Sequence, residues 1–142
     1  MYMLDTNILL FTMRHPDSVC AGKIGIHSGQ DLCISVVTYA ELEYGIMNSS
    51  DPERNRNAVR SILAGIRILD FDIVAAIHYG EILADMKRKG MTNACLDRDK
   101  MIAAHARSLG LTIVTDNLKH FSHIKGLSVE NWREAGDLLP VS

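Results

Sequence analysis

A chain of 142 residues with 47% apolar side chains is sized for one domain with a real core, so a single domain over residues 1–142 is expected and nothing in the composition points to disorder. The formal net charge of −2 gives no global pull toward nucleic acid, so any such contact must come from local basic patches. No apolar stretch approaches the roughly 18 residues that span a bilayer, and no secretory signal is visible, so the expectation is a cytosolic (cytoplasmic) protein without membrane contact.

Tyr2 to Leu4 reads as a short buried strand, followed by a helix through about Met13 that His15-Pro16 ends. A second short helix is expected from about Asp17 to His27, with Ser28-Gly29 as its stop. Leu32 to Val36 is the next strand, and a helix follows from Thr38 to about Asn48. Asp51-Pro52 opens another helix, proline being tolerated in a first turn, with Ala58, Ile62 and Ile66 on one face. Arg67 to Phe71 is a brief strand. Val74, Ile77, Ile82 and Met86 mark an amphipathic helix that reaches Lys89 and is stopped by Gly90. A polar loop leads into a helix over Asp97 to Leu109, closed by Gly110. Leu111 to Val114 is a further strand, and a last one lies near Val129. Short apolar runs alternating with helices specify an α/β domain, a central, mostly parallel sheet flanked by helices.

Acids recur where apolar runs give way to helix starts. Asp5 closes the first run, Glu41 follows the run from Leu32 to Val37, Asp99 precedes the helix at Met101-Ile102, and Asp116 ends the run from Leu111 to Val114. If these runs are neighbouring parallel strands, all four carboxylates converge at the carboxyl edge of one sheet. Crowded carboxylates repel one another unless a positive charge sits among them, and a hard divalent cation with oxygen ligands is the natural partner. The pattern points to metal-assisted phosphoryl chemistry.

Each acid also has a structural explanation. Thr38-x-x-Glu41 has the spacing of a capping box, with Val37 and Leu42 placed as a hydrophobic staple. Asp99 suits the first turn of its helix, Asp97 suits a cap of the same helix, and Asp116 suits the N-cap of a short helix through His120. Asp5 resists this reading most, because it ends a strand read as buried. Caps scatter around a protein, whereas these acids gather, and that convergence favours a site.

Other chemistries lack support. There is no G-x-S-x-G, P-loop or G-x-G-x-x-G. Cys20, Cys33 and Cys95 are odd in number, widely spaced and without C-x-x-C, as expected of reduced core residues rather than zinc ligands or a disulfide framework. His105, mid-helix among Ile102, Ala103, Ala104 and Ala106, is expected to be structural. Arg54, Arg56 and Arg60, then Lys87, Arg88 and Lys89, then Lys119 and His120 with His123 and Lys125, form basic patches. The bland reading of each is a solvated helix face; Lys87, Arg88 and Lys119 are kept as RNA-contact candidates.

At Met3-Leu4-Asp5-Thr6-Asn7, at Ile34 through Gly45, at Asp99 through Ala106 and at Val114-Thr115-Asp116-Asn117, the chain resembles the PIN-domain ribonucleases, specifically the VapC toxins of bacterial toxin–antitoxin pairs. The similarity extends to the closing Val129-Glu130-Asn131-Trp132. It implies a parallel sheet flanked by helices and acids that bind Mg2+ or Mn2+, with Asp5 and Asp99 as metal ligands, directly or through water, and Glu41 beside them. At the fourth position the broader pattern often reads Thr-x-Asp. Asn117 stands there in this chain, and Asp116 lies one residue earlier. Thr6, Asn7 and Thr115 are expected to hold the carboxylates, and Asn117 to orient water or metal. The resemblance further implies endonucleolytic cleavage of structured RNA, initiator tRNA in its anticodon loop by similarity to enteric VapC proteins, and inhibition of translation. A VapB-type antitoxin partner is implied too, with a homodimer inside a larger toxin–antitoxin complex. Ile8, Leu9, Phe11 and Met13, with Tyr44, Ile46 and Met47, are candidate antitoxin contacts, most of which core packing would equally explain. A phosphatase or DNA nuclease using the same acids, and a catalytically silent binding module, remain the alternatives.

Overall fold

The computed structural model describes residues 1–29 and 31–133. In chain order its elements are β1 (Tyr2–Leu4), α1 (Thr6–Arg14), α2 (Val19–His27), β2 (Leu32–Ser35), α3 (Val36–Met47) and α4 (Pro52–Leu63), then β3 (Arg67–Leu69), α5 (Ile73–Arg88), α6 (Asp97–Ser108), β4 (Thr112–Val114), α7 (Leu118–Phe121) and β5 (Ser128–Glu130). The strands form one sheet in the order β3-β2-β1-β4-β5. Every pairing is parallel, so the expected mostly parallel sheet is wholly parallel among the described residues.

The short strands carry apolar side chains on both faces because helices cover both faces of a parallel sheet. Alternation then sorts neighbours into two cores. Leu4, Ile34 and Val114 pack with Ile8, Leu9, Ile24, Leu42, Ile46 and Val59 from α1 to α4. Met3, Cys33 and Ile113 pack with Ile82, Met86, Ile102, Ala103, Ala106 and Phe121 from α5 to α7. Cys20, Cys33 and Cys95 are buried thiols, and among the described residues none is in a disulfide. At Gly90 and Gly110, with φ of +68° and +67°, the chain turns out of a helix and Met91 N and Leu111 N reach back to Met86 O and Ala106 O at 2.8 and 2.9 Å. A β-carbon would be strained in that left-handed conformation.

Three sequence expectations shift. The strand expected to reach Val36 ends at Ser35, whose hydroxyl accepts from Val37 N at 3.1 Å, so α3 starts two residues before Thr38. Helix α4 ends at Leu63, so Ile66 is buried from the following turn rather than from the helix face. The strand expected to reach Phe71 stops at Leu69, and Asp72 caps α5 by accepting from Ala75 N at 2.9 Å. Among the described residues no helix is long and apolar enough to cross a membrane.

Candidate active site

Strands β1 and β4 are neighbours, but the chain proceeds from β1 toward β2 on one side and from β4 toward β5 on the other. Such a reversal opens a crevice beyond the carboxyl ends of the two strands. Asp5 follows β1 directly and Thr115 follows β4, and Asp5 N donates to Val114 O at 2.9 Å across the gap.

Asp5 is the N-cap of α1 and only 2% exposed. Its Oδ1 accepts from Thr6 N at 2.8 Å and its Oδ2 from Thr115 Oγ1 at 2.9 Å. A capping carboxylate with two donors should ionise easily. Here burial dominates, the charges of Asp99 and Glu41 add to it, and the carboxyl is pushed up to about 6 despite the Thr115 hydroxyl and the Thr6 amide. Burial, with two acidic neighbours beside it, outweighs the two donors.

Glu41 lies in the second turn of α3, because Ser35 rather than Thr38 is the cap; the capping-box reading of Thr38-x-x-Glu41 is therefore not what the structure forms. Thr38 is buried, and its hydroxyl has no partner among the described residues. The Glu41 carboxylate instead accepts from Thr6 Oγ1 at 3.0 Å and pairs with Arg98 Nε at 2.9 Å. Burial raises its pKa, opposed by Thr6 and Arg98 and reinforced by Asp99.

The cap expected at Asp97 falls instead on Leu96, which makes no side-chain cap bond, and Asp97 and Asp99 both lie in the first turn of α6. The Asp97 side chain is 83% exposed and the Asp99 side chain 14%. Asp99 is the one whose charge acts on Asp5 and Glu41. His120 Nδ1 comes within 3.5 Å of Asp99 Oδ2. That ring nitrogen also receives Asn117 Nδ2 at 2.7 Å, so it accepts there and the approach to Asp99 is no hydrogen bond.

Asp116 stands apart. It is not the cap of α7, which is Asn117, again without a side-chain cap bond. Asp116 Oδ2 is held by Arg133 Nη1 at 2.5 Å, and the Arg133 guanidinium lies 3.9 Å over the Phe11 ring. The charges raising Asp5 and Glu41 come from Asp99 and, for Asp5, Glu41; Asp116 is not among them.

Of the residues expected to hold the acids, Thr6 and Thr115 each donate to one. Asn7 is exposed and makes no such bond. Asn117 acts one step away, its amide on His120 and its backbone N donating to Thr115 Oγ1 at 3.0 Å. Lys119 is exposed beside His120, whereas Lys87 and Arg88 lie at the far end of α5, where Arg88 and Lys89 both face Asp85. Arg56 is engaged by Glu43 at 2.8 Å. His105 is buried with Nδ1 2.8 Å from Ser35 Oγ, and burial lowers its pKa against the opposing charges of Asp72 and Asp70. Arg98 and Arg133 are the site residues that sequence reasoning passed over.

Three carboxylates are thus electrostatic neighbours, offering hard oxygen donors suited to Mg2+ or Mn2+. The excess negative charge at Asp5 fits such an ion. Among the described residues no three His, Cys, Asp or Glu side chains are already gathered as a closed metal-binding group. Arg98 meanwhile supplies positive charge at Glu41.

The sequence matches the PIN domain family over residues 2–127. It is 41% identical over 131 residues to the tRNA(fMet)-specific endonuclease VapC of Shigella flexneri, covering 92% of this chain and 97% of that one. Ribonuclease VapC2 of Haemophilus influenzae is 37% identical over the same share of each chain. Among solved structures, DNA-bound VapBC from Salmonella typhimurium superposes with a TM-score of 0.86 at 40% identity, over 92% of this chain and 97% of that chain.

Proposed function

The chain belongs to the PIN domain family, and from that premise we propose that it is a Mg2+- or Mn2+-dependent endoribonuclease, the toxin of a VapBC toxin–antitoxin pair. Its substrate in this reading is initiator tRNA, cut in the anticodon loop, with translation inhibited as the consequence. The observation that carries the chemistry is the buried Asp5 carboxylate, raised toward neutrality with Glu41 and Asp99 beside it at the switch point of a parallel sheet. The names of the Shigella and Haemophilus relatives support the substrate class.

Asp5 and Asp99 would hold the ion, with Glu41 adjacent. When bound, the ion supplies Lewis-acid polarisation of the phosphodiester and makes water a better nucleophile near neutral pH. The protein's own part is positional. Thr115 and Thr6 each fix a carboxylate through a hydroxyl that adds no charge. Asn117 holds His120 beside Asp99. Arg98, half-exposed at the rim, places a cation where a phosphate would enter. Unstacked loop bases suit recognition by such an open crevice.

The antitoxin has a natural seat. A groove of 300 Å³ runs from Thr6 and Glu41 outward past Leu10, Met13, Gly45, Ile46 and Val59. Ile8, Leu9 and Ile46 are core, whereas Tyr44 and Met47 are exposed and Phe11 and Met13 half-buried, so part of the expected contact set remains available. A disordered tail that folds into this groove ends beside the acids, where a polar or basic side chain would block ion and substrate. Exposed Ile73, Val74 and Ile77 on α5 give the homodimer of this reading an apolar face.

The test is incubation of purified protein with labelled initiator tRNA, with other tRNAs, with single-stranded DNA and with a phosphomonoester, each in Mg2+, Mn2+ or EDTA. One discrete cut in initiator tRNA that EDTA abolishes is expected. Equal turnover of DNA or of the monoester would replace the ribonuclease reading. Binding of Mn2+ or tRNA without any cleavage would leave a binding module.

A further inference from the structure

Beside the acids lies a cleft of 610 Å³, larger than the antitoxin groove, formed by the loop at 92–96, the start of α6 and His120. Its volume is that of a small-ligand site. His120 joins the cleft to the acids, because it lines this cleft and also reaches to within 3.5 Å of Asp99. The cleft therefore continues directly from the carboxylates.

Its walls are specific. Leu96 occupies the N-cap of α6, a position where Ser, Thr, Asn or Asp would satisfy free amides, and it presents an exposed apolar side chain instead. Thr92 and Asn93, which also line the cleft, are both exposed, and neither side chain has a hydrogen-bond partner among the described residues. Lys100 lies beneath, only 2% exposed, with Nζ donating to Thr92 O at 2.6 Å and to Asp97 Oδ1 at 3.4 Å. A buried ammonium is costly unless paired, so these bonds pin the loop to α6 and set the cleft's shape.

We infer that this cleft is the subsite for one unpaired nucleobase of the RNA, next to the phosphate that is cut; the inference rests on reading the acids as a ribonuclease centre. A base fits better than a phosphate. Lys100 is already committed to Thr92 and Asp97, and the Asp97 carboxylate at the rim would repel a phosphate. A base brings an apolar face for Leu96 and a donor–acceptor edge for the Asn93 amide, which matches adenine best. Asn93 is a specificity residue in this scheme, and Lys100 a positioning residue for the loop.

The experiment uses single-stranded RNA octamers carrying each of the four bases at the positions flanking one cut, with the wild type, Asn93→Ala and Leu96→Ala. The wild type should prefer one base at one flanking position, and Asn93→Ala should reduce that preference roughly ten-fold. Leu96→Ala should raise KM for all four bases and leave kcat unchanged. A flat wild-type profile, or a preference that survives Asn93→Ala, overturns the subsite. The same octamers are titrated by fluorescence anisotropy onto the Asp5→Asn protein in EDTA, with and without Asn93→Ala. If the octamers are not cut, this titration alone decides the cleft: weakened binding in the Asn93→Ala protein upholds it, and equal binding overturns it; the ribonuclease reading itself fails only if initiator tRNA is not cut either.

Discussion

Replacing Asp5 by Asn should stabilise the metal-free protein at neutral pH while silencing it as an enzyme. An aspartate ionises near 3.8 in the unfolded chain and near 6 at this site, where burial is the main cause and Asp99 and Glu41 add to it. Between those values the folded state binds the proton more tightly. Stability therefore falls as pH rises from 3.8 through about 6 and is flat above, the reverse of a salt-bridged aspartate. The full difference is worth roughly 3 kcal/mol, of which about 1 is already incurred at pH 4.5 and all of it by pH 7.5. Asn is isosteric and neutral. It keeps an acceptor for Thr6 N but turns an N–H toward Thr115 Oγ1, a loss of about 1 kcal/mol that is nearly independent of pH.

The advantage of Asn over Asp should therefore grow by roughly 2 kcal/mol between pH 4.5 and 7.5. Urea unfolding of both proteins in EDTA at the two pH values measures it, the two chains differing at this one side chain alone. An advantage that stayed constant or shrank would refute the picture of an overcharged pocket. Millimolar Mn2+ should reverse the ranking, since only the wild type then gains the full stabilisation of a bound ion.

Asp99→Asn should lower RNA cleavage more than about 100-fold, beyond the usual effect of a supporting residue, whereas Asp97→Asn should cut normally; single-turnover assays distinguish them, and the opposite ranking would reassign the acid. Glu41→Gln should cost at most about 1 kcal/mol in a thermal melt, because its Arg98 pair is partly solvated, and yet lose about 10- to 100-fold in cleavage. Gly45 lines the groove from within α3, and a β-carbon there would meet nothing within 4 Å. Gly45→Ala should raise stability by roughly 0.5–1 kcal/mol. Gly45→Trp should leave cleavage intact and release the co-expressed antitoxin on a pull-down.

The sheet was legible because strands buried on both faces read as continuous apolar runs, and parallel strands bring their carboxyl ends to one edge without any knowledge of contacts. The start of α3 was misplaced because Thr38 and Glu41 mimic a capping box, while Ser35, three residues earlier, takes the cap. Asp99 was separable from Asp97 only through the resemblance, in which the acid stands three residues before Ile102-Ala103-Ala104, and the structure agrees in leaving the Asp97 side chain exposed and the Asp99 side chain largely covered. What the sequence hid were partners distant along the chain, Arg98 on Glu41 and Arg133 on Asp116. A long side chain on a solvated face carries no periodicity that says which acid it will meet.

These hidden cations bear on how the site works. Thr6 and Thr115 orient the carboxylates with hydroxyls, which leaves the negative charge in place. Had Lys or Arg taken both positions, the pocket would be neutral and would have little attraction for an ion. Arg98 does neutralise Glu41, but from a half-exposed position where water competes, so the pair is weak enough to yield. An ion among Asp5, Glu41 and Asp99 would free Arg98 for phosphate, and a basic antitoxin side chain arriving along the groove at Thr6 and Glu41 would compete for the same charge. In the function proposed above, one surplus of negative charge at the end of β1 would set the affinity for the ion, the substrate and the inhibitor together.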